Sequence, residues 1–277
     1  MKADLHMKKE LPWQLKMFQK TLKKKLRLKA LEKHLGNPAK DHTCLLVTCG
    51  DNNGAINYFL KSIGGRWSWA DLEDKSIAEM SELLDDPVVH VEESRLPFET
   101  DQFDIVVSID VHEHLSDPTP FTSELSRVAK PGGKVLVTVP NGDEAKLAVR
   151  VKRVVGMTKE KYGHKRIGLT IEELKSIFQA SRIRPVAEGS FSKFFTEMLE
   201  LSINFLYVRV LSKKGNAEVE NGTIAPATED QLKSVKKSYQ IYSLIYPVFW
   251  LISKLDIIFF RSIGYVVIVE GRKVSPD

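Results

Sequence analysis

The stretch Cys44 to Gly54, CLLVTCGDNNG, constrains the fold of this chain more than any other. Leu45, Leu46 and Val47 form an apolar run of the kind buried on both faces of a parallel sheet. It breaks at once into Gly50, Asn52, Asn53 and Gly54, residue types that tolerate a left-handed backbone. The pattern predicts a helix over residues 55–63, stopped by Gly64-Gly65. A strand that turns this tightly into a helix aims backbone N–H groups beyond the helix N-terminus, which is how α/β proteins begin a nucleotide site.

Downstream residues extend that reading. Arg66 to Ala70 reads as a second strand ending on Asp71, with Glu73 two residues on. An acid about twenty residues past the glycine turn suits a ribose diol, since a carboxylate accepts from both hydroxyls. The competing reading is a solvated strand end, or a cap for the helix near Ser76. Phe103 to Ile109 is apolar and β-branched, as a central strand should be, and Asp110-Val111 follows at its carboxyl end, where open α/β sheets bind ligands. Lys130-Pro131-Gly132-Gly133 reads as a turn that ends the helix Phe121 to Val128 and starts the strand Val135 to Val139.

Four blocks taken in order, LLVTCGDNNG, WADLE, the run from LPF through FDIVVSIDVHEHL, and AKPGGKVLVTVPN, carry a family likeness. The chain resembles a class I S-adenosylmethionine-dependent methyltransferase of the broad small-molecule group called type 11. The likeness covers about Thr43 to Glu188, with a last strand near Gly264 to Glu270. It implies an α/β, Rossmann-like, seven-stranded and mostly parallel sheet with helices on both faces, and S-adenosyl-L-methionine as cofactor. The cofactor-binding residues it implies are Thr48, Gly50, Asn52, Gly54, Asp71, Leu72, Glu92, Asp110 and Val111. Glu92, or its neighbour Glu93, stands where the family has an acid bonded to the adenine amine. The first motif departs from the family: the places of an acid and three alternating glycines read Leu46, Thr48, Gly50 and Asn52, and Asp51 is the nearest replacement carboxylate. A second reading is therefore a non-catalytic, membrane-associated adaptor on a degenerate version of the fold. A nicotinamide-dependent dehydrogenase would carry the full glycine fingerprint and leaves the later blocks unexplained.

Methyl transfer is a direct displacement, so alignment in a dry pocket is the protein's main task. A hydroxyl acceptor also needs a base, for which the candidates are His114 and His164, the latter in the loop Lys161 to Arg166. Either histidine serves equally well as a positioning group, and Lys165-Arg166 as an anion contact or solvated surface. No metal is expected, because His112-Glu113-His114 lacks metalloprotease spacing. Cys44 and Cys49 read as small buried residues in a reducing compartment.

The chain divides into a basic amphipathic arm (1–40), the α/β domain (41–190 and 262–273) and an apolar helical insertion (191–261). Of the net charge of +5, Lys8 to Lys33 contributes ten Lys/Arg against two Glu, so the remainder is acidic by three. Leu11, Leu15, Phe18, Leu22 and Leu26 recur at helical spacing there. Such an arm either packs as a lid or adheres to an anionic bilayer; nucleic acid is not expected, as no binding motif is present. In the insertion, Glu197, Glu200 and Arg209 interrupt one apolar half and Pro247, Lys254 and Asp256 the other, arguing for a helical hairpin rather than a membrane span, with a polar linker over Lys213 to Thr228. The start is too basic and broken for a signal peptide, so the expected location is cytoplasmic, at the cytoplasmic face of a membrane, with a lipid, quinone or lipid-linked glycan precursor as acceptor. The acceptor atom and the oligomeric state are not encoded in any motif.

Overall fold

The computed structural model describes residues 11–50, 52–156, 164–206 and 228–275. The strands β1 (Thr43–Thr48), β2 (Arg66–Asp71), β3 (Val88–His90), β4 (Phe103–Ile109), β5 (Ala129–Pro140), β6 (Ile183–Phe191) and β7 (Val266–Lys273) form one sheet. Its order is β3-β2-β1-β4-β5-β7-β6. The first five strands are parallel, and β7 runs antiparallel between β5 and β6. The order reverses at β1, so the carboxyl ends of β1 and β4 flank the crevice where such sheets bind ligands.

Alternate residues of each strand feed two separate cores. Leu45 and Val47 join Val106, Val137 and the helices α5 (Pro118–Val128) and α7 (Ile171–Ala180) through Phe121 and Phe178. Cys44 and Leu46 join Leu136 and Ile268 on the other face. There α2 (Leu22–Leu35), α3 (Ala55–Ser62) and α4 (Ile77–Leu84) supply Leu31, Leu60 and Met80. Burial, and then the charge of Asp104, push the Cys44 thiol up to about 12, so it is an inert core residue.

Two local expectations change. Lys130 to Gly133 does not precede β5 but lies within it: Ala129 pairs with Phe103 and Lys134 with Ile105, so four residues bulge out opposite Asp104. Gly132 takes φ 74° at the apex, and Lys130 Nζ clamps the Asp104 carboxylate at 2.8 and 2.9 Å. The N-terminal arm is two helices, α1 (Trp13–Phe18) and α2, and it packs as a cover for the sheet. Leu15, Phe18 and Leu22 are buried, whereas Leu11 is 41% exposed. The basic character of α2 does not keep it on the surface, because Arg27, Leu31 and Leu35, four residues apart, all face inward. At its end His34 Nδ1 lies 3.1 Å from Glu270 Oε2, and Lys134 Nζ lies 3.1 Å from Oε1 of the same carboxylate.

The insertion supplies α8 (Phe194–Leu206) and α9 (Glu229–Ser253), followed by a 3-10 segment Lys254–Phe259. Apart from Thr228, the linker expected between them lies outside the described residues, as do Asp51 and Lys161 to Gly163. The Asp256 carboxylate accepts from the backbone N–H groups of Phe195 (2.7 Å) and Thr196 (3.2 Å), occupying the donors at the start of α8. Along α9, Tyr239 and Tyr242 donate to the backbone carbonyls of Lys16 and Lys20, and Lys25 Nζ donates to the Tyr246 hydroxyl at 3.3 Å. The helix continues through Pro247, which has no N–H for the Ser243 carbonyl; Lys20 Nζ bonds that carbonyl instead, at 3.0 Å. The helix leaves Ile241, Leu244, Val248 and Leu251 exposed, as is Ile258 of the 3-10 segment that follows. By length and composition alone Tyr239–Phe259 is long and apolar enough to cross a membrane, which the interrupting residues had argued against.

Because α2 is part of the core, Leu31→Ala, at a fully buried position, is expected to lower stability by about 3 kcal/mol, and Leu11→Ala by under about 0.5 kcal/mol. Urea denaturation followed by circular dichroism compares the two; equal losses would mean that α2 does not cover the sheet in solution.

Candidate functional site

The turn after β1 is held by side chains of its own. Thr48 Oγ1 donates to Asp71 Oδ2 at 2.6 Å, while the backbone N–H groups of Gly50 and Glu73 both donate to Asp71 Oδ1 at 2.8 Å. Asp71 is fully buried, and burial pushes its carboxyl up against the pull of these three hydrogen bonds. Asn52 fills the place of a motif glycine and folds inward: its amide donates to Asn57 Oδ1 (2.7 Å) and Thr48 Oγ1 (3.3 Å), and its Oδ1 accepts from Gly54 N–H (3.1 Å). Gly54 caps α3 at φ 82°, a conformation open to glycine. Gly50 has φ 63°, and a Cβ there would collide with the Glu73 carboxylate. Glu73, not Asp71, is thus the acid that stands over the bend. Leu72 is half-buried and donates its N–H to the Thr48 carbonyl at 3.0 Å.

At the end of β4, Val111 is buried and Asp110 has φ 51°, a strained geometry for a residue with a side chain. The Asp110 carboxylate pairs with Arg27 of α2, whose guanidinium lies 6.0 Å from the Phe191 ring centroid. Asp110 Oδ1 and Arg27 Nε are buried with no hydrogen-bond partner in the structure, so the pair retains unused bonding capacity. Glu92 follows Val91, whose N–H donates to the Asp71 carbonyl at 2.9 Å; it is exposed, with Ser94 Oγ at 3.4 Å, and Glu93 is exposed beside it.

The histidines meet across 50 residues of sequence. His114, in the 3-10 turn His112–His114, and His164 pack edge to face with ring centroids 4.7 Å apart. Burial, and then His114, Lys152 and Lys23, hold the His164 imidazole at about 3. His112 points away, into the core, with Nε2 3.0 Å from Thr122 Oγ1. Next to this pair, Glu197 of α8 is buried between Lys23 of α2 (3.2 Å), Lys152 of α6 (Leu147–Val154) and Ser192 Oγ (2.9 Å). Burial raises its carboxyl, yet the two lysines and the hydrogen bonds outweigh that and hold it at about 2.

Glu73 was named in the sequence beside Asp71, whereas the motifs do not point to Arg27, Lys152 or Glu197, which the structure places around the crevice and the histidine pair. Arg27 was legible through its four-residue spacing to Leu31 and Leu35, and Glu197 as one of two acids in an otherwise apolar helix, a setting in which a buried acid requires a partner.

Residues 45–137 match the family described as methyltransferase domain. A probable S-adenosylmethionine-dependent methyltransferase of Mycolicibacterium smegmatis is 32% identical over 94 residues, which are 34% of this chain and 36% of that protein. The match thus spans about a third of that relative's length. Among solved structures, a Bacillus halodurans protein assigned as a methyltransferase superposes with a TM-score of 0.56 at 16% identity, covering 90% of this chain and 99% of that one. The geranyl diphosphate C-methyltransferase of Streptomyces coelicolor, solved with Mg2+, geranyl-S-thiolodiphosphate and S-adenosyl-L-homocysteine, gives 0.53 at 13% identity, over 91% of this chain and 76% of that one. At these identities the structural likeness is one of fold.

Glu197→Gln leaves two cations without their buried counter-charge and is expected to cost about 3 kcal/mol in urea denaturation. In the native protein Glu197 lies near 2 against an ordinary 4.5, so below pH 4.5 the unfolded chain takes up a proton that the folded one refuses. Its contribution is therefore full above pH 4.5 and is lost as pH falls toward 2, a decline that the Gln variant should lack.

Proposed function

We propose that this chain is a class I S-adenosylmethionine-dependent methyltransferase, as the match over residues 45–137 and the similar mycobacterial protein support, and that it methylates an acceptor drawn from a membrane surface: a lipid, a quinone or a lipid-linked glycan precursor. The observation that carries the membrane half of the proposal is the bare face of α9. Ile241, Leu244, Ile245, Val248 and Leu251 recur at three- and four-residue spacing and are exposed, as is Leu255 in the 3-10 segment beyond, a broader apolar stripe than a monomer normally leaves in water. Cations border it: Lys254 Nζ sits 4.5 Å over the Trp250 ring and Arg261 lies 5.2 Å from Phe260, a pairing suited to anionic headgroups. With its tyrosine face docked on α1 and α2, the helix would lie along the interface rather than cross it, at the cytoplasmic face.

The residues at the crevice fit the cofactor. The absence of a side chain at Gly50 lets the Glu73 carboxylate close over the bend, where it would serve as a diol acceptor, and Asp110 at the end of β4 has an unpartnered Oδ1 that would suit a charged amino group. Thr48, Asp71 and Asn52 act at one remove, fixing the turn. When bound, S-adenosylmethionine supplies an electrophilic methyl group. The chain's part is alignment and exclusion of water: α8, held at its start by Asp256 and at Glu197 by Lys23 and Lys152, roofs the side where His114 and His164 lie. His114 and His164 pack edge to face on that side, where they would contact the acceptor.

A second reading, an adaptor without catalysis, is favoured by the inward-folded Asn52, and calorimetry separates the two. Titration with S-adenosylmethionine should release heat in the wild type, weaken about tenfold or more in Glu73→Gln, and leave Glu92→Gln little changed. Absence of binding by the wild type would favour the adaptor. In flotation with phosphatidylglycerol vesicles the wild type should rise with the lipid and the triple variant Leu244→Glu/Leu251→Glu/Ile258→Glu should not; a wild type that stays below ends the membrane proposal.

A further inference from the structure

We propose that Glu113, His114 and His164 form a binding site for one divalent transition-metal cation on the acceptor side of the crevice. One carboxylate oxygen and one nitrogen from each imidazole lie within 4.8 Å of one another. Two metal–ligand bonds of about 2.1 Å hold ligand atoms at most about 4.2 Å apart, so small side-chain rotations close the set. Two imidazoles and a carboxylate suit zinc, iron or cobalt and leave coordination positions open.

The fold builds this cluster rather than leaving it to chance. Glu113 and His114 come from the rigid 3-10 turn that follows β4, with Glu113 1% exposed. The segment carrying His164 is tied to that same turn: the backbone N–H groups of Lys165 and Arg166 donate to the Glu113 carbonyl at 2.9 and 3.3 Å. The Arg166 guanidinium adds bonds to the carbonyls of Leu115 (3.3 Å) and Ser116 (2.6 Å). A ligand set held by short backbone tethers on two segments is the support a metal site requires. Glu197 offsets part of the charge of Lys23 and Lys152, and Asp110 pairs with Arg27; within the set itself the Glu113 carboxylate supplies the negative charge that an added cation meets. The sequence spacing His112-Glu113-His114 hid the site, because its third ligand is not in the triplet and His112 faces the core.

An acceptor oxygen bound at an open position would be held and polarised beside the methyl donor. That consequence rests on the methyl-transfer reading; metal binding itself does not, and is measured without S-adenosylmethionine. Full-length protein, freed of any tag, stripped with chelator and dialysed, is titrated with Co2+. One equivalent should bind with visible d–d absorption, and Zn2+ should displace it. His164→Ala should weaken binding about 100-fold or more, and His164→Asp, which keeps an oxygen ligand, should restore part of the loss. Zn2+ should also raise the Tm of the wild type but not of His164→Ala. No Co2+ absorption in the wild type, or the same affinity in His164→Ala, overturns the proposal. If the Co2+ titration succeeds while the wild type fails to bind S-adenosylmethionine, the metal site stands and the methyl-transfer reading falls.

Discussion

A parallel sheet has no face it can leave wet, and the rest of this molecule follows from that constraint. Five strands of apolar and β-branched residues demand helices on both sides, and the chain meets the demand on one side with a segment that carries much of its positive charge. Placing α2 there buries Arg27, a buried guanidinium requires a counter-ion, and Asp110 at the end of β4 provides it. The covering of the sheet and the charge pattern of the crevice are therefore parts of one solution.

The turn after β1 shows how a motif can lose its usual letters and keep its shape. Glycines normally leave space at these positions, whereas here Asn52 bonds Thr48, Asn57 and Gly54, and Asp71 gathers the hydroxyl and N–H groups that converge beneath the bend. The price of this rigidity is that Asp71 is used up inside the protein, and the acid two residues later takes the outward position.

Much of the architecture was legible because strand identity is local information. The apolar runs at Leu45, Phe103 and Val135, and the breakers between them, mark where the strands lie, while their arrangement in one sheet was implied by the family resemblance. The bulge at Lys130 to Gly133 was misplaced by a few residues, since proline and glycine mark a bend without saying whether a strand has already begun. The functional groups were less legible for a different reason: the contacts of Arg27 with Asp110, of His114 with His164, and of Glu197 with Lys23 each join segments dozens of residues apart, and no spacing rule encodes them. The acid at Asp71 was visible, but which of two nearby carboxylates faces outward depends on hydrogen bonds that only the folded turn defines.

Pro247 carries a consequence for how deeply α9 can sit in lipid. The carbonyl it abandons, that of Ser243, is bonded by a lysine from the opposite end of the chain. In hydrocarbon a bare carbonyl has no water to turn to, and leaving it so costs several kcal/mol. Were α9 to detach and thread the bilayer alone, it would strand that oxygen and tear three tyrosines from their hydroxyl contacts at once. The helix is thereby moored: it can press its greasy side into the outer few ångströms of a leaflet while the α/β body remains fastened above, like a keel that never leaves its hull.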